Sequence, residues 1–178
     1  MAKNDNAHAV RLYESLSRLD ESAAIEFAQR HPLSKSADYK KKFAWAKAQC
    51  EFLEERFSPE ETADIRAGCH CEAGSALAAR MRGYLSKAAD LSEFARVFNE
   101  KEKYVTLEAE EDGMLFIYPE CYCACVKRVP EQISKTWCLC TLGHVRGLME
   151  QVLGRVPEVE LLETIKSGGQ RCVVKVYV

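Results

Sequence analysis

Residues 104–118, YVTLEAEEDGMLFIY, mark the point at which the chain changes from a helical pattern to a sheet pattern. Two short runs rich in β-branched and aromatic residues flank the turn signal Glu111-Asp112-Gly113, which is typical of a β-hairpin. We therefore predict strands over 104–109 and 114–118. The cysteine-containing stretch 121–127 is predicted to form a third strand.

Helical periodicity dominates the chain on the N-terminal side of this hairpin. The clearest stripe lies in residues 36–57, where apolar side chains recur at steps of three and four. Ser58-Pro59-Glu60-Glu61 then supplies a capping serine, a proline at the first helical position and a glutamate three residues later, which predicts a helix start. Gly68 is predicted to end that helix.

The C-terminal side combines one helix with a second hairpin. Residues 141–153 show helical spacing, and the following strands are predicted to turn at Gly168-Gly169. Many helices followed by an antiparallel sheet with one helix packed across it form an α+β fold, not an alternating α/β fold. We predict a helical N-terminal layer over 1–101 and an antiparallel α+β ligand-binding part over 102–178, together one compact domain.

Composition and charge narrow the classes of function. The chain has 25 Lys and Arg against 27 Asp and Glu, a net charge of −2, and no clustered basic patch, so nucleic-acid binding is disfavoured. The first six residues are polar and unlike a secretion signal, and no apolar run approaches the ~18 residues of a membrane span. We expect a cytoplasmic protein that binds neither nucleic acid nor membranes.

Cysteine content is the most informative chemical feature of the chain. Nine cysteines are present, and seven of them form three clusters: Cys69-His70-Cys71, Cys121-Tyr122-Cys123-Ala124-Cys125 and Cys138-Leu139-Cys140. The odd total and a reducing cytoplasm argue against complete disulfide pairing and favour metal binding or thiol chemistry. We predict that the three clusters converge on one thiol-lined site.

A single metal ion would use only part of these clusters. Zinc holds sulfur ligands at about 2.3 Å, whereas Cys121 and Cys125 on a straight strand would lie roughly 13 Å apart. If the site holds a metal, we predict zinc, with the ligand quartet Cys123, Cys125, Cys138 and Cys140. Cys69 and Cys71 are reserve ligands, His70 is a possible substitute, and an iron–sulfur cluster is the less favoured cofactor.

A reactive thiol is the second interpretation of the clusters. A helix that begins near Thr141 would place Cys138 and Cys140 at its N-terminal end, where free amides and the helix dipole favour a thiolate. In an enzyme, Cys140 or Cys138 would be the nucleophile and His144 the general base.

A structural role is the third interpretation. Free cysteine is among the most frequently buried residue types, so the seven clustered cysteines could line a core without any metal. This structural role is favoured for Cys50, which lies on the helical stripe of residues 36–57.

The last forty residues carry a family resemblance. The residues that carry it are Trp137-Cys138-Leu139-Cys140, Gly143-His144, Gly154, Val159-Glu160-Leu161 and Gly168-Gly169-Gln170-Arg171-Cys172, together with Cys123-x-Cys125 upstream. The pattern resembles an uncharacterised bacterial cysteine-rich family related to L-2-amino-thiazoline-4-carboxylic acid hydrolase-like and 4-vinyl-reductase-like ligand-binding proteins. The shared part is the hairpin at 168–174, and the resemblance covers about residues 100–178.

This resemblance implies a mixed sheet-and-helix ligand-binding fold, often dimeric, with a pocket for a small hydrophobic or tetrapyrrole-like molecule. It implies no established catalytic residue, and the density of Cys-x-Cys pairs departs from the hydrolase-like relatives. Two functional hypotheses result. The first is a sensor-like protein that binds a small ligand or metal in a thiol-lined pocket, and the resemblance implies that it is a homodimer. The alternative is a hydrolase of the thiazoline type or another cysteine-dependent enzyme.

Overall fold

The computed structural model describes residues 4–71 and 74–178. Its helices are α1 Ala7–Ser17, α2 Glu21–Arg30, α3 Tyr39–Arg56, α4 Pro59–Gly68, α5 Ser75–Leu85, α6 Leu91–Lys101 and α7 Cys140–Leu153. Its strands are β1 Thr106–Glu110, β2 Gly113–Tyr118, β3 Glu158–Glu163 and β4 Cys172–Tyr177. A helical N-terminal part followed by an antiparallel sheet confirms the predicted α+β class.

Side-chain caps fix where several of the helices begin. Ser58 and Glu61 form the reciprocal capping box that the sequence predicts, with Pro59 in the first helical turn of α4. α4 ends at Gly68, also as predicted. Four other helices begin after a side chain that accepts a hydrogen bond from a first-turn amide: Asn6, Asp20, Asp38 and Asp90.

The chain forms two compact units, and neither of them is one continuous segment. The first unit takes the chain up to His70 and again from Tyr122 to Cys140. The second unit takes Cys71–Cys121 and Thr141–Val178. The predicted division at residues 101 and 102 marks the change from helices to strands along the chain, and as a domain boundary it stays a prediction.

Helices and aromatic side chains build the first unit. α1 packs against α2 and α4, and both α3 and α4 contact a short 3-10 helix, Lys135–Leu139. Trp137 of that 3-10 helix is buried, and its ring meets Trp45 edge-on with 6.2 Å between centroids. A Cβ at Gly68 would lie 2.1 Å from Oγ of Ser15, so glycine allows α4 to approach α1 closely.

The second unit contains the sheet, whose strand order is β1-β2-β4-β3 with every pair antiparallel. One buried row of side chains crosses all four strands and consists of Leu107, Phe116, Val174 and Leu161. Such directly opposed apolar pairs stabilise a sheet and fix its register. α6 packs against β1, and the second hairpin turns at Gly168-Gly169 as predicted, after a 3-10 helix at Ile165–Ser167.

The predicted third strand over 121–127 is wrong. Residues 121–123 are irregular, and residues 124–128 form a turn. The amides of Val126 and Lys127 both donate to the carbonyl oxygen of Cys123, at 3.2 and 3.0 Å, which closes one helical turn. Cysteines at alternate positions resemble the pattern of a strand, but here the backbone amides bond to a carbonyl oxygen of the same turn and not to a neighbouring strand. The three sulfurs of this cluster therefore do not share a sheet face.

Candidate functional site

Arg66 is a buried cation in the first unit. It lies on the face of α4 that also carries Ile65 and Cys69, and only 3% of its surface is exposed. Its Nε donates to the carbonyl oxygen of Thr136 at 3.2 Å, and its Nη2 donates to the carbonyl oxygen of Trp137. The guanidinium carbon lies 4.7 Å from the centroid of the Trp137 ring, within cation–π range. One side chain therefore joins α4 to the 3-10 helix.

Four thiols near this guanidinium affect its pKa. Burial acts to lower the pKa of Arg66, but four thiols oppose this effect and raise the pKa overall: Cys140, Cys69, Cys50 and Cys123. Within residues 4–71 and 74–178, none of the ion pairs joins Arg66 to a carboxylate. Because a buried cation is costly without a counter-charge, ionisation of a neighbouring thiol stabilises it. One cysteine from each sequence cluster thus interacts with Arg66.

Cys123 is the thiol that the local structure favours as an anion. A hydrogen bond from the Cys125 thiol is the main cause that lowers the pKa of Cys123 to about 6, and the amides of Cys125 and Val126 act in the same direction. Burial opposes this shift. Because Cys123 begins a helical turn, its sulfur takes the place of a capping oxygen. These donors therefore favour the thiolate form of Cys123.

The indole N–H of Trp137 supports the same thiolate. Its nitrogen is buried and makes no geometrically complete hydrogen bond to the part of the chain that the structure describes. It nevertheless lies close enough to Cys123 to lower the pKa of that thiol. A thiolate, or a polar atom of a ligand, would satisfy this donor better than a neutral thiol does.

Cys50 and Cys69 are neutral members of the group. Burial raises the pKa of Cys50 to about 12, and it also raises the pKa of Cys69 although Arg66 acts in the opposite direction. The Cys69 thiol donates to the carbonyl oxygen of Ile65 at 3.2 Å, within α4. These two thiols are therefore protonated at neutral pH. Cys50 lies among the buried residues of α3, which agrees with the structural role that the sequence favours for it.

His8 and Arg11 of α1 extend the polar surroundings of Arg66. Nη2 of Arg11 donates to Nδ1 of His8 at 3.4 Å, and the His8 ring lies 5.9 Å from the ring of Trp137. Burial and then the charges of Arg11, Arg66 and Lys42 lower the pKa of His8 to about 4. The His8 ring is therefore neutral at pH 7 and can accept the bond from Arg11.

Sequence reasoning missed Arg66, although a signal for it exists. In α4 the buried positions are Thr62, Ile65, Arg66 and Ala67, followed by the buried Cys69. A charged residue on an apolar helical stripe is unusual unless a partner satisfies it, and this contrast points to a site. The partners themselves lie about seventy residues further along the chain, so the sequence does not reveal them.

The other predicted site residues have different surroundings. Cys138 lies in the 3-10 helix, and Cys140 is the first residue of α7. Cys71 is exposed and belongs to the second unit, where its carbonyl oxygen lies 2.8 Å from Nδ1 of the half-buried His144. This contact makes Nδ1 the protonated nitrogen and leaves Nε2 as the basic one. The catalytic roles of Cys138, Cys140 and His144 stay predictions.

The described side chains form no ready metal site. Among residues 4–71 and 74–178, no group of three or more His, Cys, Asp or Glu side chains is arranged to hold a metal ion. The predicted zinc quartet and its reserve ligands, Cys123, Cys125, Cys138, Cys140, Cys69 and Cys71, are thus not assembled as a coordination shell. Zinc and the iron–sulfur alternative have no geometric support.

An open cavity of about 420 Å³ occurs elsewhere in the first unit. It is lined by Arg30, His31, Pro32, Leu33, Ser34, Ala37, Lys41, Ala44 and Trp45. None of these lining residues is a cysteine, so this cavity is not the predicted thiol-lined pocket.

The chain belongs to the family of unknown function DUF6144, which matches residues 4–178. This match confirms membership of an uncharacterised family, whereas the predicted relation to the thiazoline hydrolase-like and vinyl-reductase-like proteins stays a prediction. No curated protein matches the chain. Within the described ranges, no helix has both the length and the apolar character needed to cross a membrane.

Two solved structures resemble the chain in fold. One is a triple mutant of an H-NOX protein from S. oneidensis in the Fe(II) ligation state, with a TM-score of 0.44, 10% identity, and coverage of 97% of this chain and 95% of that chain. The other is an H-NOX protein from S. oneidensis in the Fe(II)NO state, with a TM-score of 0.42, 10% identity, and coverage of 96% and 97%. At these scores the likeness carries no argument about function.

Proposed function

We propose that this protein is a sensor-like binding protein in which the Cys123 thiolate captures a small thiophilic ligand beside Arg66. One observation carries the proposal: Arg66 is buried in the same compact unit as Cys123, and neighbouring donors lower the pKa of Cys123 to about 6. Structural cysteines in a core are protonated and inert, as Cys50 and Cys69 are. Cys123 differs from them because donors surround its sulfur and because it is partly exposed.

The charge of the site favours a particular class of ligand. Arg66 and Arg11 are cationic, and the neutral ring of His8 adds no negative charge. A neutral or anionic molecule with a soft electrophilic atom fits these surroundings better than a second cation does. The N–H of Trp137 supplies a donor for a polar atom of such a molecule.

A zinc-binding form of the proposal would use Cys123, Cys125, Cys138 and Cys140. Convergence of thiols near Arg66 supports it in general, since one cysteine of each cluster interacts with that residue. The positive guanidinium works against a divalent ion, because at least two thiolates would be needed before the ion gained any net attraction. We therefore rank zinc below a thiophilic molecule.

A hydrolase of the thiazoline type, or another cysteine-dependent enzyme, is the alternative. One support is Cys140, which is the first residue of α7, where the helix dipole favours an anion. The other is His144, whose Nδ1 contacts the carbonyl oxygen of Cys71, so that its Nε2 is the basic nitrogen. Cys138 would take the nucleophilic role if Cys140 does not. A homodimer and a cytoplasmic location remain parts of either proposal.

Alkylation with iodoacetamide tests the thiolate. Anaerobically reduced protein is labelled from pH 5 to 9, and each cysteine is followed by peptide mass spectrometry. We expect Cys123 to react first, with a rate that has its midpoint near pH 6, and we expect the C121S control to behave as wild type. Uniform, slow labelling of all cysteines would contradict the proposal, and early labelling of Cys140 would favour the enzyme.

A further inference from the structure

We propose that the open cavity beside Trp45 binds a small apolar carboxylate, a molecule with a hydrophobic body and one negative charge. The cavity lies between the end of α2, the loop that follows it and the first half of α3. None of the described residues that line it is a cysteine. The inference therefore goes beyond the proposed function at Cys123 and does not depend on it.

The cavity has the volume and the fixed walls of a small-molecule site. Its volume of about 420 Å³ is within the range of about 300–1,000 Å³ that is typical of ligand pockets. Three residues that precede α1 hold the loop wall in place. Oδ1 of Asn4 accepts from the amide of Leu33 at 3.1 Å, and the amide of Asn6 donates to the Leu33 carbonyl oxygen at 3.2 Å. Oδ1 of Asp5 accepts from the amide of Lys35 at 2.7 Å, so a ligand would bind without first having to order this loop.

The floor of the cavity is apolar and rigid. The indole N–H of Trp45 donates to the carbonyl oxygen of His31 at 2.9 Å, so the polar atom of this ring is already satisfied. The ring of Phe27 meets Trp45 edge-on with 5.7 Å between centroids, and it stacks on the ring of His31 at 4.8 Å. Four further apolar residues complete the lining: Pro32, Leu33, Ala37 and Ala44. This surface suits the hydrophobic body of a ligand.

The charge around the cavity is positive. Residues 30–42 hold one acidic side chain, Asp38, and five basic ones: Arg30, Lys35, Lys40, Lys41 and Lys42. The net charge of −2 for the whole chain hides this local excess. The described lining residues include two of these cations and no carboxylate. An anion is therefore the charge class that the cavity attracts.

Lys41 is the cation best placed to hold a carboxylate. Its side chain is exposed, and within the described ranges none of the ion pairs involves it. Asp38 already accepts from the amide of Lys41 at 2.9 Å as the cap of α3. The second lining cation, Arg30, pairs with Glu26 at 2.9 Å, but that carboxylate also binds Arg56. One negative charge is thus shared by two guanidinium groups, which leaves positive charge for a ligand.

A titration with three probes that share a naphthalene ring tests the proposal. The probes are 1-naphthaleneacetate, the neutral naphthylethanol and the cationic naphthylmethylamine, and the nitrogen-15 spectrum of the full chain follows each titration. We expect naphthaleneacetate to give saturable shifts at the indole N–H of Trp45 and at the amides of residues 33–44. We expect the alcohol to bind about tenfold more weakly and the amine more weakly still, because only the acid gains from Arg30 and Lys41.

Two exposed lysines of one helical turn provide matched variants. Lys41 lines the cavity, whereas its neighbour Lys40 does not. K41Q should weaken the binding of naphthaleneacetate by about two- to fivefold, the range of an exposed ion pair, and K40Q should bind nearly as wild type does. A44W places a large ring in the cavity from an exposed position of α3 and should abolish binding. The same spectra show whether each variant is folded.

Four results would overturn the inference. They are the absence of saturable shifts up to about 5 mM naphthaleneacetate, equal affinity for the acid and the alcohol, shifts confined to residues outside 30–45, and equal losses in K40Q and K41Q. The last result would show attraction to the basic segment in general and not to the cavity. Because no cysteine takes part, slow alkylation of Cys123 would remove the proposed function and leave this inference intact.

Discussion

Arg66 and Trp137 contact each other twice: the guanidinium lies 4.7 Å from the centroid of the indole ring, and it donates a hydrogen bond to the carbonyl oxygen of the same tryptophan. The indole N–H in turn interacts with Cys123. Trp137 therefore connects the cation to the thiolate, and the stability of the helical unit and the chemistry of its thiol depend on the same contacts.

Replacement of Arg66 should destabilise the protein strongly. R66A leaves the carbonyl oxygens of Thr136 and Trp137 without their donor and removes the buried positive charge, so we expect a loss of about 3–5 kcal/mol in the free energy of unfolding. R66K keeps the charge but not the planar fork, and it should lose less. Urea denaturation measures both variants. A loss below about 1 kcal/mol for R66A would show that the hydrogen bonds from Arg66 to Thr136 and Trp137 contribute little to stability.

Removal of the thiol donor at position 125 should make Cys123 less acidic. A hydrogen bond to a charged group contributes about 1.5–3 kcal/mol, so C125A should raise the pKa of Cys123 by about one to two pH units. C125S keeps a donor at the same position and serves as the matched control. The rate of alkylation of Cys123 against pH gives both values. Identical profiles for the two variants would show that the Cys125 side chain has no part in the shift.

Acid should weaken the fold through His8. Its pKa is about 4 in the folded protein and 6.5 as the ordinary value, so below pH 6.5 the unfolded chain binds a proton that the folded chain excludes. Stability should fall as the pH drops from 6.5 towards 4, by up to about 3 kcal/mol from this group. H8Q cannot titrate and should lose that part of the slope in urea denaturation followed across this pH range. An unchanged slope would mean that His8 is solvated.

Two glycines should respond oppositely to alanine. A Cβ at Gly113 would lie 2.0 Å from the carbonyl oxygen of Val176, where β2 pairs with β4, so G113A should lose about 3 kcal/mol. A Cβ at Gly147 in α7 meets no described atom within 4 Å, and G147A should gain about 0.5–1 kcal/mol from helix propensity. Thermal unfolding compares them. Equal melting temperatures would contradict the close approach of the strands.

Local signals account for the parts of the fold that the sequence predicts. Ser58, Pro59 and Glu61 act within one turn, and the first hairpin depends on neighbours around Gly113, so both could be recognised without tertiary knowledge. The cysteines at 121, 123 and 125 show the limit of such patterns. Alternation is typical of a strand, yet local bonds to the Cys123 carbonyl oxygen form a turn instead.

The candidate site depends on contacts that no local pattern contains. The cysteine clusters drew attention to Cys123 and Cys125, but the predicted reason was metal coordination, whereas in the structure Cys125 and nearby amides lower the pKa of Cys123. The decisive group, Arg66, lies 70 residues before its acceptor Thr136. Arg66 is buried because α4 packs against the 3-10 helix, and the periodicity of the sequence does not predict this contact.

The return of residues 122–140 to the first unit sets an order of events during synthesis. Arg66 leaves the ribosome well before Thr136 and Trp137, which are 70 and 71 positions away. Until then the nascent helices hold a cation without its acceptors, although β1 and β2 have already been translated. The helical unit therefore completes its folding only after the first hairpin exists, and a ribosome paused between these segments would present the nascent chain to chaperones with its arginine still in water.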